Sequence, residues 1–379
     1  MKFIHLSDLH LGKRMNEYSL VEDQAYILNE ILKIIQEQAP DGVLIAGDVY
    51  DKPVPTVEAV NLLDDFLRRL VALGQKVYII AGNHDSAERL AFGGRLMDAS
   101  GIHIAPAYRG QVEPHLLRDE FGEVRLYLLP FLKPTHVRAA FPEKTVESYT
   151  DGVRVAIEAM GVDPTVRNLL VTHQFVTGAT LSDSEELAVG GSDNVDAEVF
   201  APFDYVALGH IHGPQRVGAE HIRYSGTPLK YSISEARHHK SVTVVTLGPK
   251  GEVTLEQIPL TPLREVVELR GSYEEITARN FYEGTHWQED YVSITLTDEE
   301  EIPDAIGKLR SIYHYILKLS YDNRRTRETG ELQGADGVEE KSPLTLFAEL
   351  YAQQNNQELT GEQEEFLRHT MEEIWGKSV

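Results

Sequence analysis

The sequence predicts an α/β protein: a β-sandwich of two mixed sheets flanked by helices, then a small α+β unit and two C-terminal helices. Three observations predict it. Apolar runs alternate with amphipathic helical stretches through the first hundred residues. After Gly101 that rhythm gives way to strands with fewer helices between them. Beyond residues 259–263 (PLTPL) a short strand–helix–strand–helix–strand pattern begins afresh.

Residues 2–6 (KFIHL) read as a buried strand. A helix follows, with Ala25, Ile27, Leu28, Ile31, Leu32 and Ile35 on one face. Residues 42–46 (GVLIA) form a second strand, Thr56 to Leu73 an amphipathic helix opened by Thr56, and 76–80 (KVYII) a third strand. Strands alternating with helices in this way run parallel, with the helices covering them. Residues 124–129, 168–172, 204–208 and 241–246 supply further strands. The main domain spans 1–260. A unit at 265–325 follows, with strand EVVELR, helix SYEEITARNFY, strand YVSITL, helix IPDAIGKLRSIY and strand YILKLSY. Residues 328–342 are acidic, contain glycine and lack a hydrophobic period, the composition of a linker. The segment 343–379 holds two amphipathic helices, about 344–354 and 361–375. Thr360 caps the second, with Gln363 at the capping-box position.

A chain of 379 residues exceeds one ordinary domain. No apolar run reaches the ~18 residues of a membrane span. The N-terminus lacks the apolar stretch of a signal peptide, so the cytoplasm is the expected compartment. With no cysteine, disulfides, thiolate metal sites and a cysteine nucleophile are excluded. The net charge of −24 opposes simple nucleic-acid binding. Residues 328–379 carry twelve acidic and three basic residues, so −9 of it lies in the tail. Bound divalent ions would offset more of the field at a carboxylate-lined site.

Five short motifs occur in order, each after an apolar run: Asp8-Leu9-His10, Gly47-Asp48, Gly82-Asn83-His84-Asp85, His173 and Gly209-His210-Ile211-His212. Groups at the carboxyl ends of parallel strands converge on one rim. Asp, Asn and His offer oxygen and imidazole nitrogen without sulfur. That set suits Mn²⁺, Fe²⁺ or Zn²⁺, with the first two favoured above four-coordination. Two such ions sharing a carboxylate clamp an in-line phosphoryl displacement. Taken singly the motifs are ordinary. Asp8 reads equally as a cap, Gly-Asp as a plain turn and His173 as a satisfied polar group. Gly-Asn-His-Asp and Gly-His-x-His are more specific, and the ordered set of five is not a chance arrangement. The other ten histidines match no motif and read as structural or surface residues.

That order resembles the calcineurin-like metallophosphoesterases. The longer stretches KFIHLSDLHLGK, LIAGDVYDKPVPT, IIAGNHDSAERL, DYVALGHIHGPQ and YSGTPLKYSISE resemble, within them, the bacterial SbcD-type nuclease subunits. The likeness is strong over residues 1 to about 260 and less specific beyond. It implies one metal on Asp8, His10, Asp48 and His212, and a second on Asp48, Asn83, His173 and His210. It implies that His84 faces the scissile phosphate and that Asp85 orients it. It implies two divalent ions, Mn²⁺ first with Fe²⁺ or Mg²⁺ as alternates. The implied activity is exonuclease and endonuclease cleavage of double-stranded ends and hairpins in DNA repair and recombination. The implied partners are an SbcC-type coiled-coil ATPase, DNA including single strands, and a second copy of the chain, with no membrane and a nucleoid association. Relatives in archaea and eukaryotes carry a histidine shortly after the Gly-Asp. Here Asp51 stands there, which removes any assigned role from that position.

Phe347, Leu350, Tyr351, Phe366, Leu367 and Trp375 give the terminal helices apolar faces that dock on the ATPase or pack on the chain's own core. Arg324, Arg325 and Arg327 read as a solvated run, a DNA-backbone contact or a contact with the acidic surface of a partner, and Arg237 to Lys240 as a surface loop. Two other functional classes stay open on sequence grounds: a phosphatase of small nucleotides or phosphoproteins, and a scaffold without turnover. The capping unit and terminal helices favour the nuclease, and the full ligand set with His84 disfavours the scaffold.

Overall fold

The computed structural model describes residues 1–185, 193–324, 343–355 and 357–375. Two compact units divide the chain at Val266/Val267.

The first unit is a sandwich of two six-stranded sheets. One contains β1 (Lys2–Leu6), β2 (Gly42–Ala46), β3 (Val77–Ile80), β4 (Ile102–Ile104), β11 (Ser241–Leu247) and β12 (Val253–Pro259), in the order β12-β11-β1-β2-β3-β4. The other contains β5 (His115–Asp119), β6 (Gly122–Leu129), β7 (Arg167–His173), β8 (Tyr205–Gly209), β9 (Gln215–Val217) and β10 (Ala219–Tyr224), in the order β9-β10-β8-β7-β6-β5. In each sheet the four-strand run β1–β4 or β6-β7-β8-β10 is parallel, and the added strands pair antiparallel.

Buried strands have no polar face, which is why their sequences are continuous apolar runs rather than alternating ones. Phe3, Leu44, Tyr78 and Ile80 meet Leu126, Leu128, Leu169, Val171 and Tyr205 in the layer between the sheets. Helix α1 (Val21–Gln38) buries Ile27, Leu28, Ile31, Leu32 and Ile35, each worth roughly 1.5–3 kcal/mol of transfer free energy. Ala25 of the expected face is only half-buried, and the polar Asp23 and Gln24 are buried instead. Asp23 receives Arg264, and the Gln24 amide donates to the His10 carbonyl at 2.7 Å. Helix α2 (Val57–Ala72) begins at its Thr56 cap, whose hydroxyl accepts the Ala59 N–H. Helix α3 (Tyr149–Met160) packs in the cluster on the outer face of the second sheet.

The second unit contains a three-stranded sheet, β13 (Val266–Gly271), β14 (Tyr291–Leu296) and β15 (Tyr315–Tyr321), over a core of Leu269, Ile276, Val292, Ile294, Leu309 and Tyr313. The single helix expected at 272–282 is two, α4 (Tyr273–Thr277) and α5 (Arg279–Tyr282), because Ala278 is extended. At the break the Thr277 hydroxyl bonds the Tyr273 carbonyl, a local competitor of helix continuation. The helix expected from Ile302 begins only at α6 (Ala305–Arg310), because Pro303 precedes a left-handed Asp304. Helices α7 (Pro343–Asn355) and α8 (Gly361–Trp375) contact each other, and Thr360 and Gln363 form the capping box. The 328–342 linker, Arg325, Arg327 and the Trp375 side chain lie outside the described residues. Among the described residues, no helix is long and apolar enough to cross a membrane.

Candidate metal centre

The five motifs meet at one rim that both sheets share. Strands β1, β2 and β3 lead into Asp8–His10, Asp48 and Asn83–Asp85, while β7 ends at His173 and β8 leads into His210–His212. The loops after β1 and β2 stay paired past the sheet: Asp8 N–H donates to the Gly47 carbonyl at 3.0 Å and His10 N–H to the Asp48 carbonyl at 2.9 Å. Hydrogen bonds to backbone groups join the sheets here. His173 Nδ1 meets the Ala46 carbonyl at 2.8 Å, and the Asp8 carboxylate accepts the His210 N–H at 3.0 Å.

Four of the side chains the motifs supply sit on backbone with positive φ: Asp8 at 52°, His10 at 43°, Asp48 at 47° and His210 at 107°. L-residues avoid this region, at a cost of ~1–3 kcal/mol each, and such strain gathers where function over-determines geometry. Gly209 serves a different need. A Cβ there would lie 1.8 Å from the Ala46 carbonyl oxygen and 2.7 Å from His173 Nδ1. Gly209→Ala is therefore expected to lower stability by at least ~1–3 kcal/mol and to weaken metal binding through His173. A melting curve and a Mn²⁺ titration of the variant check both; wild-type behaviour in either would contradict the packing argument.

Asp8, His10, Asp48, His173, His210 and His212 are all buried. Three sets have ligand atoms within 4.8 Å of one another: Asp8, His10 and His212; His10, Asp48 and His84; Asp8, Asp48 and His173. Asp48 is the hub. Its Oδ2 lies 3.7 Å from His10 Nε2, 3.4 Å from His173 Nε2 and 4.0 Å from His84 Nε2. The Asn83 amide oxygen lies 2.9 Å from His173 Nε2 and 3.0 Å from His210 Nδ1.

The electrostatics follow from packing charges without water. Burial pushes Asp8 up to about 6. Burial acts the same way on Asp48, but the surrounding His173, His10 and His84 outweigh it and hold that carboxyl well below the usual range. Burial depresses His173 too, yet Asp48 outweighs it and lifts the imidazole to about 9. His210 drops to about 3 and His10 falls well below its ordinary value, both chiefly through burial. Those two rings are thus neutral bases at neutral pH.

The donor set fits cations. Both ring nitrogens of His10 and Nε2 of His210 are buried without a hydrogen-bond partner among the described residues. Orphaned buried nitrogens are costly unless a ligand takes them. His212 points its Nδ1 at Glu235 Oε1, 3.0 Å away, which leaves Nε2 to the cluster. The Asp and His clusters are compatible with a dimetal site.

His84 differs from the rest. It is half-buried, at the mouth of the cluster, with its ring centroid 4.8 Å from that of His10. Its orienting partner is the Asp51 carbonyl, 3.1 Å from Nδ1. Asp85, expected to orient it, does other work: its two oxygens accept the backbone N–H groups of Gly82, Val49 and Tyr50. Asp85 thus ties the third loop to the second and fixes His84 only through the backbone. Asp51 pairs with Lys13 at 2.9 Å.

Sequence reasoning misses the layer behind His212. Ser184, Glu235, Thr227 and Lys240 form a buried network there. Lys240, expected in a surface loop, has a side chain only 4% exposed and is paired with Glu235. Arg237 and His239 of that cluster are exposed. The signal for Lys240 is its position directly before a strand buried from Ser241 to Val245. His5, outside every motif, is a structural residue, bonded to the Tyr205 hydroxyl and the Leu208 carbonyl and pushed down to about 3 by burial.

Of the terminal-helix residues, Phe347, Leu350 and Phe366 are 39%, 48% and 70% exposed among the described residues. Tyr351 and Leu367 are half-buried.

Residues 1–214 match the model of the calcineurin-like phosphoesterase family, and residues 262–355 match one described as the type 5 capsule protein repressor C-terminal domain. The chain is 32% identical over 378 residues, 98% of each chain, to the D subunit of the nuclease SbcCD of Staphylococcus epidermidis. A dimetal phosphatase from Danio rerio aligns over 69% of this chain and 98% of its own, at 13% identity and a TM-score of 0.38. A protein from Thermus thermophilus aligns over 68% and 98%, at 12% identity and a TM-score of 0.39. These two likenesses are too weak to carry an argument.

Proposed function

This chain belongs to the calcineurin-like phosphoesterases, in the branch of the SbcD-type nuclease subunits, and from that premise we propose that it cleaves DNA ends and hairpins with two divalent ions, Mn²⁺ foremost. It is a metal-dependent phosphodiesterase. The observation that carries the fuller reading is the buried carboxylate of Asp48, set among imidazoles whose nitrogens include three with no hydrogen-bond partner among the described residues.

In this reading Asp8, His10, Asp48 and His212 hold one ion, and Asp48, Asn83, His173 and His210 hold the other. Bound there, such a pair supplies Lewis acidity for phosphate oxygens and lowers the pKa of an attacking water. The chain's own residues do the rest. Asp8 fixes His210 by accepting its backbone N–H. The Ala46 carbonyl sets the His173 tautomer, so that Nε2 faces Asp48. Half-buried His84 presents Nε2 toward the cluster from the open side, where it stabilises charge on the phosphate or protonates the leaving sugar oxygen. The experiment is Mn²⁺-dependent cleavage of linear and hairpin DNA against a chromogenic phosphodiester, with and without an SbcC-type coiled-coil ATPase and ATP. Turnover of the small diester with none on DNA would replace the nuclease by a small-molecule phosphodiesterase.

A net charge of −24 gives this chain little grip on DNA, so the ATPase supplies grip and ATP control. The exposed apolar faces of α7 and α8 are its docking segment. Deleting residues 343–379 is expected to spare partner-free cleavage of short DNA and to abolish co-purification with the ATPase. Undiminished pull-down, or loss of partner-free cleavage, would refute this. The same proposal includes a homodimer and a cytoplasmic, nucleoid-associated location. Val54, Val57, Phe92 and Leu96 are 66–85% exposed, and the Arg89 guanidinium on the Pro53 carbonyl joins their two segments, which provides apolar surface for a second copy.

A further inference from the structure

Each of the four ligand imidazoles has a different environment at its second nitrogen. His173 meets a neutral carbonyl, and His10 has no hydrogen-bond partner among the described residues, its Nδ1 lying 3.8 Å from Asp51 Oδ1. His210 keeps Nδ1 at an amide oxygen and Nε2 without a partner among those residues. His212 Nδ1 faces a carboxylate, Glu235 Oε1, at 3.0 Å, and the Ser184 hydroxyl at 2.9 Å, whose own proton goes to that same carboxylate.

That carboxylate is fully buried, and it is held from three sides. The Ser184 hydroxyl donates to Oε1 at 2.6 Å, and the Thr227 hydroxyl to Oε2 at 3.3 Å. The Lys240 ammonium pairs with Oε2, donates to the Thr227 hydroxyl at 2.6 Å, and reaches the His212 carbonyl at 2.9 Å. The same histidine is therefore gripped at its ring through Glu235 and at its backbone through Lys240. A buried ion pair seldom stabilises a fold better than apolar side chains of the same size. Its position against one ligand's outer nitrogen supplies another reason for it.

We propose that Glu235, held and neutralised by Lys240, is the positioning residue that fixes His212 as an Nε2 donor and sets the affinity of the Asp8–His10–His212 site. A carboxylate accepts and cannot donate, so the proton of the neutral ring stays on Nδ1 and the lone pair stays on Nε2. Outer partners of this kind are worth ~10–100-fold in metal affinity. Among the described residues, His173 meets a carboxylate only at the shared Asp48 and keeps its other nitrogen at the Ala46 carbonyl, and His210 Nδ1 faces an amide oxygen, so the effect is confined to one ion. The inference rests on the reading of His212 as a ligand.

The test is calorimetric titration of the full metal-stripped chain with Mn²⁺, paired with thermal melting. Glu235→Gln is expected to weaken one of two binding steps by ~10–100-fold and leave the other in place. It also strands the Lys240 charge, so Glu235→Gln combined with Lys240→Met is measured beside it. The double variant should regain the melting temperature and not the affinity. Recovery of both would assign the loss to the stranded charge and overturn the proposal, as would equal weakening of both steps. His212→Ala separates this from the underlying reading. If it abolishes one step while Glu235→Gln changes nothing, only the positioning role fails; if it changes nothing, the ligand assignment fails.

Discussion

Asp48→Asn is expected to abolish phosphodiester cleavage and to remove both Mn²⁺ binding steps, while the metal-free chain still folds. Asparagine is the cleaner choice over alanine for two reasons. Asp48 sits at φ 47°, a region that asparagine tolerates and alanine resists. Its Oδ1 accepts the His84 N–H at 2.9 Å, an acceptor the amide oxygen retains. Shape and loop are kept, and only the charge is lost. That charge lies within 4.0 Å of nitrogens on His10, His173 and His84, so neither proposed ion keeps its full anionic complement without it. The loss in affinity should exceed the ~10–100-fold that an outer-sphere change costs. Asn83→Ala, by contrast, touches only the His173 and His210 side and should spare one step. Two intact binding steps in Asp48→Asn would remove Asp48 from the shared position.

How far this site is legible in the sequence follows from what kind of fact each part is. Asp8, Asp48 and His173 are readable because strands buried on both faces are largely apolar, so a polar residue just past such a run marks a strand end. Chain order then supplies the set. The sharing of the rim by two sheets is not readable, since β1 to β3 and β7 to β8 carry the same apolar signature whichever sheet they join. Nor are the left-handed backbones of Asp8, His10 and His210: the usual flag for that conformation is glycine, and function overrides it at these positions. Asp85 reads as a side-chain partner of His84 only because it is adjacent in sequence, and adjacency carries no direction; its oxygens turn back to three backbone N–H groups. Glu235 and Lys240 escape for a related reason. A lysine among Arg237, His238 and His239 has the composition of surface, and only the fold shows that its side chain turns inward to a buried carboxylate. In the second unit, Ala278 breaks a helix that its propensity favours, because a side-chain bond to backbone one residue earlier competes locally.

His84→Gln is expected to lose turnover by ~10²–10⁴-fold while both Mn²⁺ steps survive. His84 differs in depth from the imidazoles proposed as ligands. The other imidazoles of the cluster are 5% exposed or less, whereas the His84 side chain is 14% exposed and lies on the open side of Asp48. Its Nδ1 is committed to the Asp51 carbonyl at 3.1 Å, which can only accept, so Nδ1 carries a proton and Nε2 is the working nitrogen. With the second proton of the imidazolium on it, Nε2 has two uses toward a phosphodiester: stabilising charge on the non-bridging oxygens or giving that proton to the leaving oxygen. The leaving group distinguishes them. A nitrophenolate departs without a proton, whereas a sugar alkoxide does not. If Nε2 is a general acid, His84→Gln should cut DNA cleavage far more than cleavage of a bis-nitrophenyl phosphodiester. If it stabilises charge, both substrates should suffer alike. His84 also stands close enough to His10 and Asp48 to complete a ligand triad. Calorimetry decides that alternative directly: a binding step lost in parallel with turnover would make His84 a ligand, and its place at the mouth of the cluster would then need a different explanation.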